Sequence, residues 1–193
     1  TNTVSYPQNG AYVGNHPAGT QQFNGYMSNF RFVKGTALYN PSGFTPSTTP
    51  LTDVTNTVLL LNTSSNITKT IDSSRYYNTI TNTGGVTYEP GSPFYSISSG
   101  SIKFDGSSQY LSVQSNSVLP GSNQAYTIEA FVYLTSYNSG MGIIGWGAYG
   151  NYARVNVLKI TPTQIVNYWW VTDLVVNYIV PLYTWTHIVA QCD

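Results

Sequence analysis

The stretch GYMSNFRFVKGTALY, residues 25–39, changes the phase of its alternating apolar side chains halfway along. Phe23, just before it, and Met27 share one phase of a two-residue repeat, whereas Phe30 and Phe32 share the other. Because side chains alternate between the two faces of a strand, an uninterrupted strand would bury one set and expose the other. One extra residue in a β-bulge lets both sets face a core. The stretch therefore predicts a bulged strand that buries apolar side chains from both of its halves.

Short segments rich in Val, Ile, Tyr, Phe and Trp recur along the chain, separated by Ser, Thr, Asn and Gly. In YTIEAFVYL, residues 126–134, both alternating sets are largely apolar, which predicts a strand buried on both faces. Turn pairs such as Asn9-Gly10 and Gly84-Gly85 lie between the segments. Almost nothing in the chain has the 3.6-residue period of a helix. The sequence therefore predicts an all-β fold, an antiparallel β-sandwich with little or no helix.

Charged residues are scarce, with seven Lys and Arg and seven Asp and Glu in 193 residues, so the formal net charge is zero. Nucleic acids and anionic membrane surfaces are bound by clustered basic side chains, and here the basic residues are scattered. We therefore expect no nucleic-acid partner. No apolar run approaches the ~20 residues of a membrane helix, so we expect no membrane insertion either.

Several motifs occur in a recognisable order. One set lies in the later part of the chain: TVLLLN (57–62), DSS (72–74), SIKFDGSSQYLSV (101–113), YTIEAFVYL (126–134), GIIGWG (142–147) and WTHIV (185–189). A second set precedes it: AYVG (11–14), FNGYMSNFRFVKGTALY (23–39) and GFTPSTTP (43–50). Together they resemble laminin G-like, concanavalin A-like jelly-roll modules, of the tandem type found in phage virion proteins and bacterial surface proteins. In that family the first set opens a module and the second set closes it.

The segment NPSGFTPSTTPLTDVTNT, residues 40–57, holds three prolines and many Ser and Thr, which predicts a linker and places the main boundary near residues 50–57. Residues 1–54 would be the C-terminal strands of one module. Residues 55–193 would be the N-terminal and central strands of a module that is incomplete at Asp193. About 50 residues cannot bury the face of the bulged strand alone.

Three arrangements of the first segment are open. It completes a preceding module, folds back onto the rest of the chain, or exchanges into a neighbouring subunit. Contacts within one chain would identify folding back, namely those of Phe30 and Phe32 with Phe104 and Val132.

Acidic residues give no obvious catalytic pair. The resemblance includes glycosidases, whose two carboxylates lie ~5–9.5 Å apart and commonly occupy alternate positions of one strand. Here the closest acids in sequence, Glu89 and Asp105, are sixteen positions apart, so we expect no enzyme and no catalytic residue. Glu129, on an apolar strand, is predicted to be a hydrogen-bonded structural acid. His187, in the WTHIV motif, is predicted to be a packed structural histidine.

Calcium is the one cofactor that the resemblance suggests, since laminin G-like modules often bind it at a sheet rim. Asp72 and Asp105 are the weak candidates. The alternative is that each carboxylate accepts hydrogen bonds within its own turn, as Asp before Ser or Gly commonly does.

Two aromatic segments, WGAYGNYAR (146–154) and NYWW (167–170), could stack on sugar rings. The alternative is cross-strand packing of the aromatic side chains on a sheet. The candidate glycan-binding residues are Trp146, Tyr149, Asn151, Tyr152, Tyr168 and Trp170.

These features predict a non-enzymatic extracellular or virion module, structural or adhesive, within a larger repetitive protein such as a phage fibre, capsid decoration or surface filament. Its partners would be other modules or subunits of the same assembly. The first alternative is a lectin-like carbohydrate-binding domain that uses an aromatic loop to recognise cell-surface glycans. The second alternative is a degenerate glycosidase-type domain.

Overall fold

The computed structural model describes residues 10–63, 70–94, 99–114, 119–120, 124–147, 155–169 and 173–193. Within these ranges the chain forms strands and no helix, so the all-β prediction is confirmed, and no helix there could cross a membrane. The strands are β1 (Ala11–Val13), β2 (Asn24–Lys34), β3 (Thr57–Leu61), β4 (Ile80–Thr83), β5 (Thr87–Glu89), β6 (Ser101–Asp105), β7 (Tyr110–Val113), β8 (Tyr126–Leu134), β9 (Met141–Gly147), β10 (Val155–Ile160), β11 (Gln164–Tyr168), β12 (Leu174–Asn177) and β13 (Thr186–Cys192).

The strands form two antiparallel sheets. A seven-stranded sheet has the order β12-β11-β10-β9-β1-β7-β4, and a six-stranded sheet has the order β13-β8-β2-β6-β5, with β3 also paired to β2. The largest cluster of buried side chains draws on strands of both sheets. The predicted antiparallel β-sandwich is therefore confirmed, while its jelly-roll connectivity stays a prediction.

The bulge predicted from the opening stretch lies in the middle of β2. The register of β2 on β8 shifts between Ser28 and Arg31, and Asn29 has a positive φ of 52°. Met27 and Phe30 are both fully buried, although they lie in opposite phases of the strand. The bulge also separates two pairing partners, because the first half of β2 pairs with β6 and the second half with β3.

Strands from both predicted segments share the same sheets. β1 lies between β7 and β9, and β2 lies between β8 and β6. One cluster of buried side chains contains the four residues that distinguish the possible arrangements, Phe30, Phe32, Phe104 and Val132. The segment before residue 54 thus folds back onto the rest of this chain and supplies a central strand to each sheet.

The segment that was predicted to be a linker, between β2 and β3, has no strand and is mostly exposed from residue 40 to residue 49, but Leu51 packs on the outer face of the six-stranded sheet. Leu51 in this segment is buried with Leu60, Phe94 and Phe131 in a second, smaller hydrophobic cluster, against which Trp185 packs. This cover explains why β8 is buried on both faces, as its composition predicts.

Candidate functional site

Aromatic side chains form a row across the outer face of the six-stranded sheet. Tyr26 of β2 lies directly opposite Tyr133 of β8, and their ring centroids are 5.7 Å apart. Trp185, just before β13, continues the row with its ring 5.5 Å from that of Tyr133. All three side chains are half-buried. Alternation along the strands places them opposite the core face, because their neighbours Met27 and Val132 are fully buried.

Gly25 allows β2 and β8 to approach at this row. It has a φ of 139°, and a Cβ at this position would overlap with the backbone oxygen of Tyr133. A side chain would therefore push the two strands apart and separate the facing tyrosines.

The aromatic row forms one wall of a groove of about 360 Å³. The opposite wall follows the end of β5 into the next turn, and a serine of β6 also lines the groove. We call this site the aromatic groove; its lining residues are Tyr26, Glu89, Pro90, Gly91, Ser101, Tyr133 and Trp185.

Two polar groups in the aromatic groove lack strong protein partners. Ser101 is fully buried, and its Oγ has no hydrogen-bond partner among the described residues. The carboxylate of Glu89 accepts a single long hydrogen bond, 3.5 Å from Thr87 Oγ1. Within the described ranges Arg31 forms an ion pair with Glu129 and Arg75 with Asp53, and His187 Nε2 lies 3.0 Å from Glu129, so Glu89 has no cationic partner there. Because Glu89 and Ser101 lie directly opposite each other on β5 and β6, their polar groups are neighbours.

Further side chains surround the aromatic row. Trp185 packs against the second hydrophobic cluster. Tyr183 is 65% exposed, and its ring lies 6.3 Å from that of Tyr133, in the middle of the row. Beside Tyr26, Lys103 places its Nζ 5.9 Å from the ring centroid. The row therefore packs on a hydrophobic cluster at the Trp185 end.

A buried ionic network lies beside the aromatic groove on the same sheet face. Glu129 accepts hydrogen bonds from Arg31 Nε at 2.8 Å and Tyr39 Oη at 2.7 Å, and its Oε2 lies 3.0 Å from His187 Nε2. Burial opposes ionisation of Glu129, but these hydrogen bonds and the charge of Arg31 outweigh it, so the pKa of Glu129 is lowered. Burial and the neighbouring carboxylate raise the pKa of Tyr39 to about 12.

These contacts agree with the predicted structural roles of Glu129 and His187. The ring of His187 stacks on Phe131 with 4.2 Å between ring centroids, and its side chain is 2% exposed. The network ties the segment after β2 to the sheet through Tyr39, and no part of the network opens into the aromatic groove.

The predicted glycan-binding residues are not gathered in one site. Trp146 of β9 is fully buried in the main core, against Phe32 and Tyr126, so its ring has no face available for a sugar. The expected role of Trp146 in stacking on a sugar is therefore not possible in this structure. Tyr168 is half-buried, and the ammonium group of Lys159 lies 4.6 Å from its ring centroid. The other candidates lie outside the described residues: Tyr149, Asn151, Tyr152 and Trp170.

The two calcium candidates use their carboxylates within their own turns. Asp72 is buried and accepts hydrogen bonds from the backbone of Leu60 and from Ser74 and Asn78. Asp105 accepts five hydrogen bonds from the three residues that follow Gly106. Partial burial of Asp105 opposes ionisation of its carboxyl group, but the backbone and side-chain hydrogen bonds outweigh this effect and lower its pKa. Hydrogen bonds to residues of the same turn were the alternative to calcium binding for these two carboxylates. The described part of the chain holds no group of three or more His, Cys, Asp or Glu side chains suited to a metal.

The residues of the aromatic groove were missed in the sequence because they lie far apart along the chain. Tyr26 and Tyr133 do occupy polar-face positions of their strands, which was a usable local signal. Their juxtaposition depends on the register of β2 on β8, which no local pattern reveals. No protein-family model, curated protein or solved structure matches this chain, so the laminin G-like resemblance stays a prediction.

Proposed function

We propose that this protein is a non-enzymatic adhesion module that binds a carbohydrate in the aromatic groove, as one unit of a larger extracellular or virion assembly. The observation that carries the proposal is the row of Tyr26, Tyr133 and Trp185 beside the carboxylate of Glu89, which lacks a strong protein partner among the described residues. A concave site with apolar walls and a few converging polar groups is the usual form of a small-ligand site.

A sugar ring has apolar C–H faces and a polar rim. Half-buried aromatic rings offer a matching apolar surface that loses little conformational entropy on binding. The Glu89 carboxylate, which is half-buried in the groove lining, would accept hydrogen bonds from the hydroxyl groups of the rim.

Binding is favoured over hydrolysis by the composition of the groove lining. A glycosidase generally requires two carboxyl groups that flank the scissile bond. Among the lining residues only Glu89 carries one. The glycosidase-type alternative therefore has less support than recognition without cleavage.

The test is a glycan array followed by titration calorimetry on the best ligand. Tyr133→Ala should reduce affinity at least tenfold, roughly the 1.4 kcal/mol expected from one lost stacking partner. Tyr110→Ala is the matched control, because Tyr110 forms a similar edge-on pair with Tyr12 on the other sheet, with ring centroids 5.8 Å apart. No glycan binding, or equal losses in both variants, would refute the proposal. Loss of binding in Tyr149→Ala alone would instead favour the loop that the sequence indicated.

A second candidate function, assembly with neighbouring copies or modules, has support from a different region. The edge strand β12 exposes Leu174, Val175 and Val176, which are 45–58% exposed, and it contains no charged residue or proline. In monomeric proteins, edge strands commonly carry a charged residue or a proline, which prevents them from pairing with another chain. An antiparallel pair of β12 strands from two copies would set Val175 opposite Val176, with no like charges facing each other.

A further inference from the structure

The aromatic groove is electrostatically one-sided. Glu89 lines it, half-buried and without a cationic partner among the described residues. The nearest basic side chain of the row is Lys103, which is exposed, lies over Tyr26 at the end of the row and is not part of the lining. A ligand inside the groove thus meets a carboxylate and three aromatic side chains. Carboxylates and the faces of aromatic rings attract cations.

We infer that the aromatic groove selects glycans whose sugar rings carry free ammonium groups, such as a chain of glucosamine. The inference rests on the proposed function and specifies the class of sugar. The carboxylate of Glu89 would accept a charge-assisted hydrogen bond from the ammonium group, and such bonds are about twice as strong as neutral ones.

The position of Glu89 fits that pairing. Glu89 ends β5 and lines the same groove as Tyr26 and Tyr133. An amino sugar bears its ammonium group at the rim of the ring. The carboxylate can therefore contact this group while the apolar ring face rests on Tyr26 or Tyr133.

The experiment compares two oligosaccharides of the same backbone, a glucosamine hexamer and an N-acetylglucosamine hexamer, by titration calorimetry at mildly acidic pH, where the sugar amines are protonated. We expect the glucosamine hexamer to bind about tenfold more tightly, as one charge-assisted hydrogen bond predicts. Glu89→Gln should remove that preference, and Lys103→Gln should keep or strengthen it. Hexalysine should not displace the sugar.

The outcomes separate the inference from the function on which it rests. Equal or weaker binding of the glucosamine hexamer overturns the inference, while binding of the acetylated hexamer that depends on Tyr133 would leave the proposed function standing. An unchanged preference in Glu89→Gln also overturns the inference, as does displacement by hexalysine, because charge alone would then explain binding. If neither hexamer binds and no other glycan does so on the array, both statements fail.

Discussion

Arg31 and Glu129 form an ion pair with 2.6 Å between Nη2 and Oε1, although the side chain of Glu129 is fully buried and that of Arg31 is 7% exposed. Arg31 also donates to the backbone oxygen of Thr52 at 2.9 Å, in the segment that covers the outer face of the six-stranded sheet. The pair thus joins two strands of the sheet to the segment that lies on it.

Glu129→Gln should destabilise the protein by about 3 kcal/mol, because the buried guanidinium would lose its compensating charge. Urea unfolding measures the change. Adding Arg31→Met should recover part of the loss, since no unpaired cation would then be buried. A cost below about 1 kcal/mol for the single substitution would contradict the importance given to this pair.

Stability should fall as the pH decreases from about 6.5 to 4, in part because of His16. This side chain is buried, and burial, followed by the charge of Lys159, lowers its pKa to about 4. Between these pH values the unfolded chain binds the proton and the folded chain does not, so protons favour unfolding. A shift from 6.5 to about 4 corresponds to roughly 3 kcal/mol. Unfolding at several pH values should show this loss in the wild type.

His16→Asn is the matched variant for that experiment. Its side-chain oxygen can still accept the hydrogen bond that His16 Nδ1 receives from the backbone N–H of Ala18, at 3.0 Å. The variant should therefore lack the loss of stability between pH 6.5 and 4 that His16 causes, while it keeps the hydrogen bond to Ala18. Identical pH profiles for the two proteins would show that other groups cause the acid sensitivity.

Two substitutions of Asn29, the residue at the bulge of β2, should separate the contributions of its backbone conformation and its side chain to stability. Asn29 has a φ of 52°, and its Oδ1 accepts a hydrogen bond from the buried backbone N–H of Leu51 at 2.8 Å. Asn29→Gly keeps the positive φ and should cost about 1–2 kcal/mol for the lost hydrogen bond. Asn29→Val adds the strain of a β-branched residue in this region and should cost about 1–2 kcal/mol more. If thermal unfolding shows the same loss of stability for Asn29→Gly and Asn29→Val, the positive φ of Asn29 does not contribute as stated.

Ser101→Ala should stabilise the unliganded protein by up to about 1 kcal/mol, since it removes a buried hydroxyl that has no partner. Ser28→Ala is the control, because Ser28 Oγ donates to the backbone oxygen of Gly100 at 2.7 Å and its removal should destabilise. A loss of stability in both variants would mean that Ser101 is satisfied in the free protein.

Val175→Lys should reduce self-association and change the free energy of unfolding by less than about 0.5 kcal/mol, because the position is exposed on the edge strand β12. Sedimentation velocity at increasing concentration measures association, with a reducing agent because Cys192 is a free, exposed thiol. Thr81→Lys, on the exposed strand at the other edge of the same sheet, is the control. If both lysine substitutions reduce self-association equally, the cause is the added positive charge and not the edge strand β12.

Local patterns predicted the fold better than the site. The phase change around Asn29 predicts the bulge, and the double alternation of residues 126–134 predicts a strand covered on both sides, because both depend on neighbours along the chain. Whether an aromatic side chain is exposed depends on the sheet face on which it lies and on what covers that face. Trp146 is buried because it packs against Phe32 and Tyr126 of the other sheet, which the composition of its own segment does not reveal.

The placement of β1 and β2 has a consequence for how the chain reaches its native state. Both lie inside their sheets. β3 follows β2 closely, but their other partners come much later in the chain, as in the contact between Asn24 and Ser136, which are 112 positions apart. Pairs of such high sequence separation slow folding, because a long loop must close before the contact forms. β1 and β2 must therefore wait, with apolar side chains uncovered, until β8 and β9 emerge from the ribosome, and during that interval misassembly competes with folding.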